Sequence, residues 1–166
     1  MFSLNILAPG SVERLAEDLF PHLSPFESVR DRHTLVVKRL EGEESLPRIR
    51  ERLRSALSGR PPFEVRTDGI DYFGRPTRGE GPVVYLRIES PGLYDLHETL
   101  CREFGVVAEM EGEEYTPHVT LARGGRISDA EELAKRDVDD VRWTVNRLAV
   151  WDARYREAAA RLPLRG

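Results

Sequence analysis

The residues best suited to chemistry lie in the segment EYTPHVTLARGG, where His118 and Thr120 stand two positions apart. On a strand such residues project from one face, and Val119 and Leu121 project from the other. An imidazole and a hydroxyl would then share a surface while two apolar side chains anchor the strand from behind. An imidazole can take or give a proton near neutrality, and a hydroxyl can donate to a negatively charged oxygen. The pair therefore suits proton transfer at a phosphoryl or similar centre. No two histidines or acids show the spacing of a zinc site, so no metal is expected.

A second segment, RDRHTLVVKRL, carries His33. If His33 faces the same surface, Leu35 occupies the position that a hydroxyl would need. Shifting the register by one residue puts Thr34 in the hydroxyl position and Arg32 in the histidine position, and turns His33 to the opposite face. A bulge near His33 and Thr34 would reconcile the two registers. We take His33 as the functional histidine, because an imidazole turned towards helices would need a buried partner for its ring nitrogens. Thr34 and Lys38 are further candidates. His22, among prolines, and His97, beside an apolar helical stripe, are expected to be structural.

The elements that must hold these segments follow from periodicity. Phe2, Leu4 and Ile6 alternate with Ser3 and Asn5 as a half-buried strand, which Pro9-Gly10 ends. Ser11 reads as the N-cap of a helix carrying Val12, Leu15, Ala16, Leu19 and Leu23. A strand from Arg32 to Leu40, a helix marked by Leu46, Ile49, Leu53 and Leu57, and a strand-like run from Phe63 to Phe73 complete the first stretch. The order then repeats with a strand from Pro82 to Glu89, a helix bearing Leu93, Leu96, Leu100 and Phe104, and the strand of His118. Ser128 and Glu131 form a capping-box signature, and Val141, Trp143 and Val145 mark a long last strand. The distance from first strand to histidine is 31 residues in one stretch (Phe2 to His33) and 35 in the other (Val83 to His118), which suggests duplication. The glycine-rich GRPTRGEG lacks the ending of a phosphate-binding loop and reads as a hairpin connection, from which Arg75 and Arg78 could reach a nucleotide.

At 166 residues the chain suits one domain, 1–166, with halves of about 1–75 and 80–152 and a tail over 153–166. A hydrophobic share of 40% is enough for a core and disfavours disorder. The net charge of -4 disfavours indiscriminate coating of nucleic acid, which relies on a broadly basic surface, and leaves room for a local phosphate site. No run approaches the ~20 apolar residues of a membrane span, and no export leader is evident. The lone Cys101 lies on a helical apolar stripe and reads as a structural thiol in a reducing, cytoplasmic setting.

The His118-x-Thr120 motif, with Pro117 before it and Leu121 after it, resembles the His-x-Thr motif of the 2H phosphoesterases, which include RNA 2',3'-cyclic phosphodiesterases, also called 2'-5' RNA ligases. The resemblance extends over nearly the whole chain. It implies an α+β fold of two pseudo-symmetric lobes, with antiparallel-rich sheets and outer helices around a central cleft, and the tail as a strand. It also implies that His33 and His118 act as base and acid without metal or cofactor, opening the cyclic phosphate of an RNA end or small nucleotide to a 2'-phosphate, or joining ends in reverse. Thr120, Thr34 and Lys38 would hold the phosphate. The same cleft with a weakened first motif could instead bind an RNA end without cleaving it.

Overall fold

The computed structural model describes residues 1–42 and 44–166. Strands β1 (Phe2–Leu7), β2 (Ser28–Val29), β3 (Thr34–Leu40), β4 (Phe63–Phe73), β5 (Val83–Glu89), β6 (His118–Arg123), β7 (Arg142–Val145), β8 (Arg147–Asp152) and β9 (Glu157–Pro163) pair antiparallel throughout. Helices α1 (Gly10–Leu19), α2 (Leu46–Leu57), α3 (Pro91–Phe104) and α4 (Ile127–Ala134) alternate with the strands along the chain.

The strand order β7-β4-β5-β6-β3-β1-β8-β9 divides into two lobes. In one, β1 lies between β3 and β8; in the other, β5 lies between β6 and β4, so the lobes are pseudo-symmetric. They meet where Leu35 of β3 pairs with Val119 of β6. Each lobe takes a strand from the far stretch of chain, since β4 follows β3 and α2 yet pairs with β5 and β7, and β8 closes on β1. This exchange ties the lobes together. The expected long last strand is accordingly two: the chain leaves β4 at Val145, turns at Asn146 and joins β1 from Arg147, because consecutive residues serve different lobes.

One apolar cluster lies between the sheet and the helices. Leu4 and Ile6 of β1, Leu35 and Val37 of β3, Val119 and Leu121 of β6 and Leu86 of β5 meet Val12, Ala16, Leu53, Leu96 and Leu100 from the helices. Side chains one position away along each strand face the opposite, concave side, which is the cleft. The expected tail strand is present as β9, despite the helix preference of its alanines, because β8 offers a free edge that it pairs along from Pro163 to Glu157.

The helix starts differ from those expected. Helix α1 begins at Gly10 behind Pro9, so Ser11 lies inside the first turn, and α4 begins at Ile127, which leaves Ser128 inside it as well. Side-chain capping is made instead by Ser90, whose Oγ accepts from the Leu93 amide at 3.2 Å while donating to the Glu64 carbonyl at 2.6 Å. No helix among the described residues is long and apolar enough to cross a membrane.

Leu35 is 1% exposed at the seam between the lobes. Its replacement by alanine is expected to lower unfolding stability by about 2–5 kcal/mol, the range for deleting a buried leucine; a urea-unfolding midpoint equal to that of the parent would show that the seam contributes little.

Candidate active site

His118 and Thr120 face the cleft from β6, as their spacing demands. Both line a cavity of about 570 Å³ together with Thr34, Asn5 and a set of arginines. The His118 ring is held from two sides. Its Nδ1–H donates to the Thr116 carbonyl at 2.7 Å, and its faces and edges meet Phe73 and Tyr85, with centroids 5.1 Å and 5.2 Å away. A carbonyl can only accept, so this bond places the proton on Nδ1 and leaves Nε2 with its lone pair. Burial lowers the pKa of His118, and the charges of Arg39 and Arg123 lower it further; the Thr116 bond opposes them only in part. The imidazole is therefore neutral at pH 7 and able to take a proton. Burial also pushes the Tyr85 phenol up to about 12, so it remains uncharged beside the ring.

Thr34 reaches the cleft from β3. The Asn5 amide of β1 donates to Thr34 Oγ1 at 3.2 Å, and Asn5 Oδ1 in turn accepts from Ser3 Oγ at 2.7 Å. Since Thr34 is the acceptor in that contact, its own O–H remains available to a ligand. The alternation of Ser3 and Asn5 with Phe2, Leu4 and Ile6 announced this polar face, although its position beneath Thr34 depends on the pairing of β1 with β3.

His33 is not in the cleft. Strand β3 begins at Thr34, and with Thr34 turned inward the preceding side chain points to the helix side. There His33 is 8% exposed, and its Nδ1 lies 2.6 Å from Glu13 Oε2 of α1. The partner that a buried imidazole needs is thus supplied by a helix 20 residues earlier. The residue on the cleft side is Arg32, which lines the cavity and donates to the Arg156 carbonyl at 3.3 Å.

Lys38 is also absent from the cleft. Between Leu4 and Asn5 the register of β1 on β3 skips one residue, so that Leu4 faces Lys38 while Asn5 faces Val36. This bulge reverses the alternation beyond Val36 and turns Lys38 inward to the core, where its Nζ meets Glu111 Oε1 at 2.5 Å and both side chains are 1% exposed. Arg39 takes the cleft position. A matching irregularity in β6, opposite Val84 and Tyr85, brings Arg123 into the same cavity. Arg30 and Arg156 complete the set, with Asp31 as the one carboxylate among the lining residues. Neither bulge has a signature in the local sequence.

Glu111 does more than neutralise Lys38. Its Oε2 accepts from the Arg39 amide at 2.8 Å and its Oε1 from the Val107 amide at 3.0 Å, so one buried carboxylate clips the loop after α3 to β3 beside the bulge. His97 holds the same loop: Nδ1 donates to the Val37 carbonyl at 2.7 Å, Nε2 accepts from the Gly112 amide at 3.0 Å, and the ring stacks on Tyr115 at 3.7 Å. It is structural, as expected. The hairpin 74–82 joins β4 to β5, and its Arg75 and Arg78 line a second cavity of about 370 Å³ that shares His118, Arg39 and Arg123 with the first. No group of three or more potential metal ligands occurs among the described residues.

The family model of the 2'-5' RNA ligase superfamily matches residues 11–156. An RNA 2',3'-cyclic phosphodiesterase of Methanothermobacter thermautotrophicus is 33% identical over 95 residues, which are 57% of this chain and 50% of that protein, so the chain spans about half the length of this curated relative. Among solved structures, TT0787 of Thermus thermophilus superposes with a TM-score of 0.70 at 23% identity, covering 99% of this chain and 98% of that one. LigT of E. coli, complexed with NADP+, gives 0.69 at 21% identity over 99% and 97%. These similarities establish the fold.

Two expectations follow from the site. Replacing Glu111 with alanine leaves a buried lysine and two backbone amides unpartnered, and is expected to cost about 3–5 kcal/mol in chemical unfolding; a loss below ~1 kcal/mol would show that Lys38 escapes to solvent. Because burial lowers the pKa of both His97 and His118, the folded chain binds fewer protons than the unfolded chain just below the ordinary histidine value. Their contribution is complete above pH ~6.5 and declines as pH falls, by at most ~1.4 kcal/mol per unit for each. Unfolding midpoints between pH 7.5 and 5.5 should fall with acidity and fall less steeply in a His118→Gln variant; parallel curves would contradict the assignment for His118.

Proposed function

This chain belongs to the 2'-5' RNA ligase superfamily, and from that premise we propose that its cleft binds the 2',3'-cyclic phosphate end of an RNA or small nucleotide and opens it to a 2'-phosphate, with His118 as the sole imidazole. The observation that carries this reading is the free Nε2 of a neutral His118 facing a cavity that also presents Thr34, Thr120 and arginine side chains.

In the proposed step, the oxygen of a water attacks phosphorus while the bond to the ribose 3'-oxygen breaks. Nε2 takes the water proton as the new P–O bond forms, and the 3'-oxygen receives its proton from solvent. Charge develops on the phosphoryl oxygens, and the Thr34 and Thr120 hydroxyls with the guanidinium groups of Arg32 and Arg39 are donors for it. A 5'-hydroxyl from a second RNA, in place of water, would give a 2'-5' linkage by the same transfer. The relative from Methanothermobacter, named an RNA 2',3'-cyclic phosphodiesterase, supports the reaction class.

Arg32 favours a second reading. A guanidinium stays charged and cannot give up a proton at ordinary pH, so it can steady a departing oxygen without protonating it. A cleft with one proton-transfer group and several fixed cations would then hold a phosphate end with little or no turnover.

Incubation of the protein with a short RNA ending in a 2',3'-cyclic phosphate, in the presence of EDTA, separates the two. Conversion to the 2'-phosphate is expected, with kcat/KM lowered about 10²–10⁴-fold by His118→Ala and less than about threefold by His33→Ala. Tight, His118-dependent binding without conversion would establish the second reading. Loss of turnover in His33→Ala with the fold intact would overturn the assignment of Arg32, in place of His33, to the reacting end of the cleft.

A further inference from the structure

The arginines of the cleft differ from those elsewhere on the molecule. Outside it, Arg52 is paired with Glu44 and Glu103, Arg60 with Asp95, Arg66 with Asp68 and Asp140, and Arg87 with Asp68 and Asp71. Arg30, Arg32, Arg39, Arg123 and Arg156 all line one cavity, and none has a carboxylate within 4.0 Å among the described residues. The chain carries 29 acidic residues against 25 basic ones, so carboxylates are not scarce. Their exclusion is local to the cleft. Five guanidinium groups against Asp31 leave four positive charges around a space of about 570 Å³ when His118 is neutral.

Three details show that this charge is built in. The Nε of Arg123 is buried without a hydrogen-bond partner, a donor that lacks an acceptor. Arg156 sits at φ 54°, in the left-handed region that a glycine would adopt freely, at the turn between β8 and β9. Arg30 is crowded by like charge: its pKa is lowered first by burial and then by Arg123 and Arg156. Mutual repulsion and unfilled donors make the empty cleft costly, and a ligand with as many negative charges would relieve both.

A cyclic phosphate carries a single negative charge and would leave most of this field unmatched. We propose that the ligand of the cleft bears at least two phosphate charges beyond the reacting group, and that Arg30 and Arg156, with Arg123 between them and His118, hold these. Arg39 and Arg123 act on His118 and so belong to the reacting end, whereas Arg30 and Arg156 lie towards the β8–β9 turn. The ligand is thus a nucleotide or short oligonucleotide end with additional phosphates, not a bare nucleoside cyclic phosphate. This inference rests on the reading of the cleft as a cyclic-phosphate site.

The test compares adenosine 2',3'-cyclic phosphate, the same compound with a 5'-phosphate and with a 5'-diphosphate, and a dinucleotide ending in a cyclic phosphate, each by calorimetric titration at low and high salt. The 5'-phosphate is expected to tighten binding about tenfold and the 5'-diphosphate further, with most of the gain lost at 1 M salt through screening. A comparable gain from the dinucleotide would place an internal RNA phosphate at the same arginines. In Arg30→Gln and Arg156→Gly the ratio of affinities between phosphorylated and unphosphorylated ligands should collapse towards one. Arg156→Gly relieves the left-handed conformation, so its melting temperature should be no lower than the parent's, which separates ligand binding from folding. Equal affinity for all four ligands would overturn the inference and leave the cyclic-phosphate reading standing; no binding by any of them would overturn both.

Discussion

The whole site depends on a strand's strict alternation at the seam where Leu35 meets Val119. These two residues must face the helices because both are almost fully buried in the apolar cluster. Their neighbours must then face the cleft, and so Thr34 stands opposite Thr120 with His118 beside it. No choice of rotamer could bring His33 across. A side chain on the wrong parity of a strand is excluded from a cleft as firmly as one on another element, which is why a one-residue question of register decides whether this chain holds one histidine or two at its centre.

Bulges modify that parity in a useful way. In β3 and in β6 a single extra residue changes which side chains look inward, and in both cases it places an arginine, Arg39 or Arg123, at the cleft beyond the threonine. The same step turns Lys38 into the core, a placement that would be strongly unfavourable for a lone ammonium group. Glu111 makes it tolerable, and by accepting from the Arg39 amide it also ties the arginine's backbone to the loop after α3. The cationic cleft and the buried ion pair are thus two faces of one irregularity.

Electrostatics then separates the inside of the cleft from the rest of the surface. The chain is acidic overall, yet the concave face collects unpaired guanidinium groups around a neutral imidazole. The neutrality of His118 follows from that setting, since burial and nearby positive charge both oppose a second proton on its ring. An imidazole so placed is a base before a ligand arrives. A bound phosphate would offset the positive field and raise its affinity for a proton, which is the direction a proton acceptor needs during phosphoryl chemistry.

Much of this was legible along the chain. Helical and alternating apolar patterns marked α1 to α3 and most of the strands, because burying one face imposes a period that residue types must obey. The His118-x-Thr120 spacing placed both side chains on one face for the same reason, and the apolar stripe around His97 marked it as structural. What the local pattern could not decide was the parity of β3: RDRHTLVVKRL is apolar enough on either register, and only the partner strands and Glu13 on α1 select one. The bulges, the exchange of β4 and β8 between lobes and the gathering of Arg30, Arg39, Arg123 and Arg156 are likewise products of pairing between segments far apart in the chain. Sequence by itself determined which residues alternate and which are buried, since those depend on near neighbours; tertiary structure decided which face meets which, because register is an energy shared by two strands and belongs to neither alone.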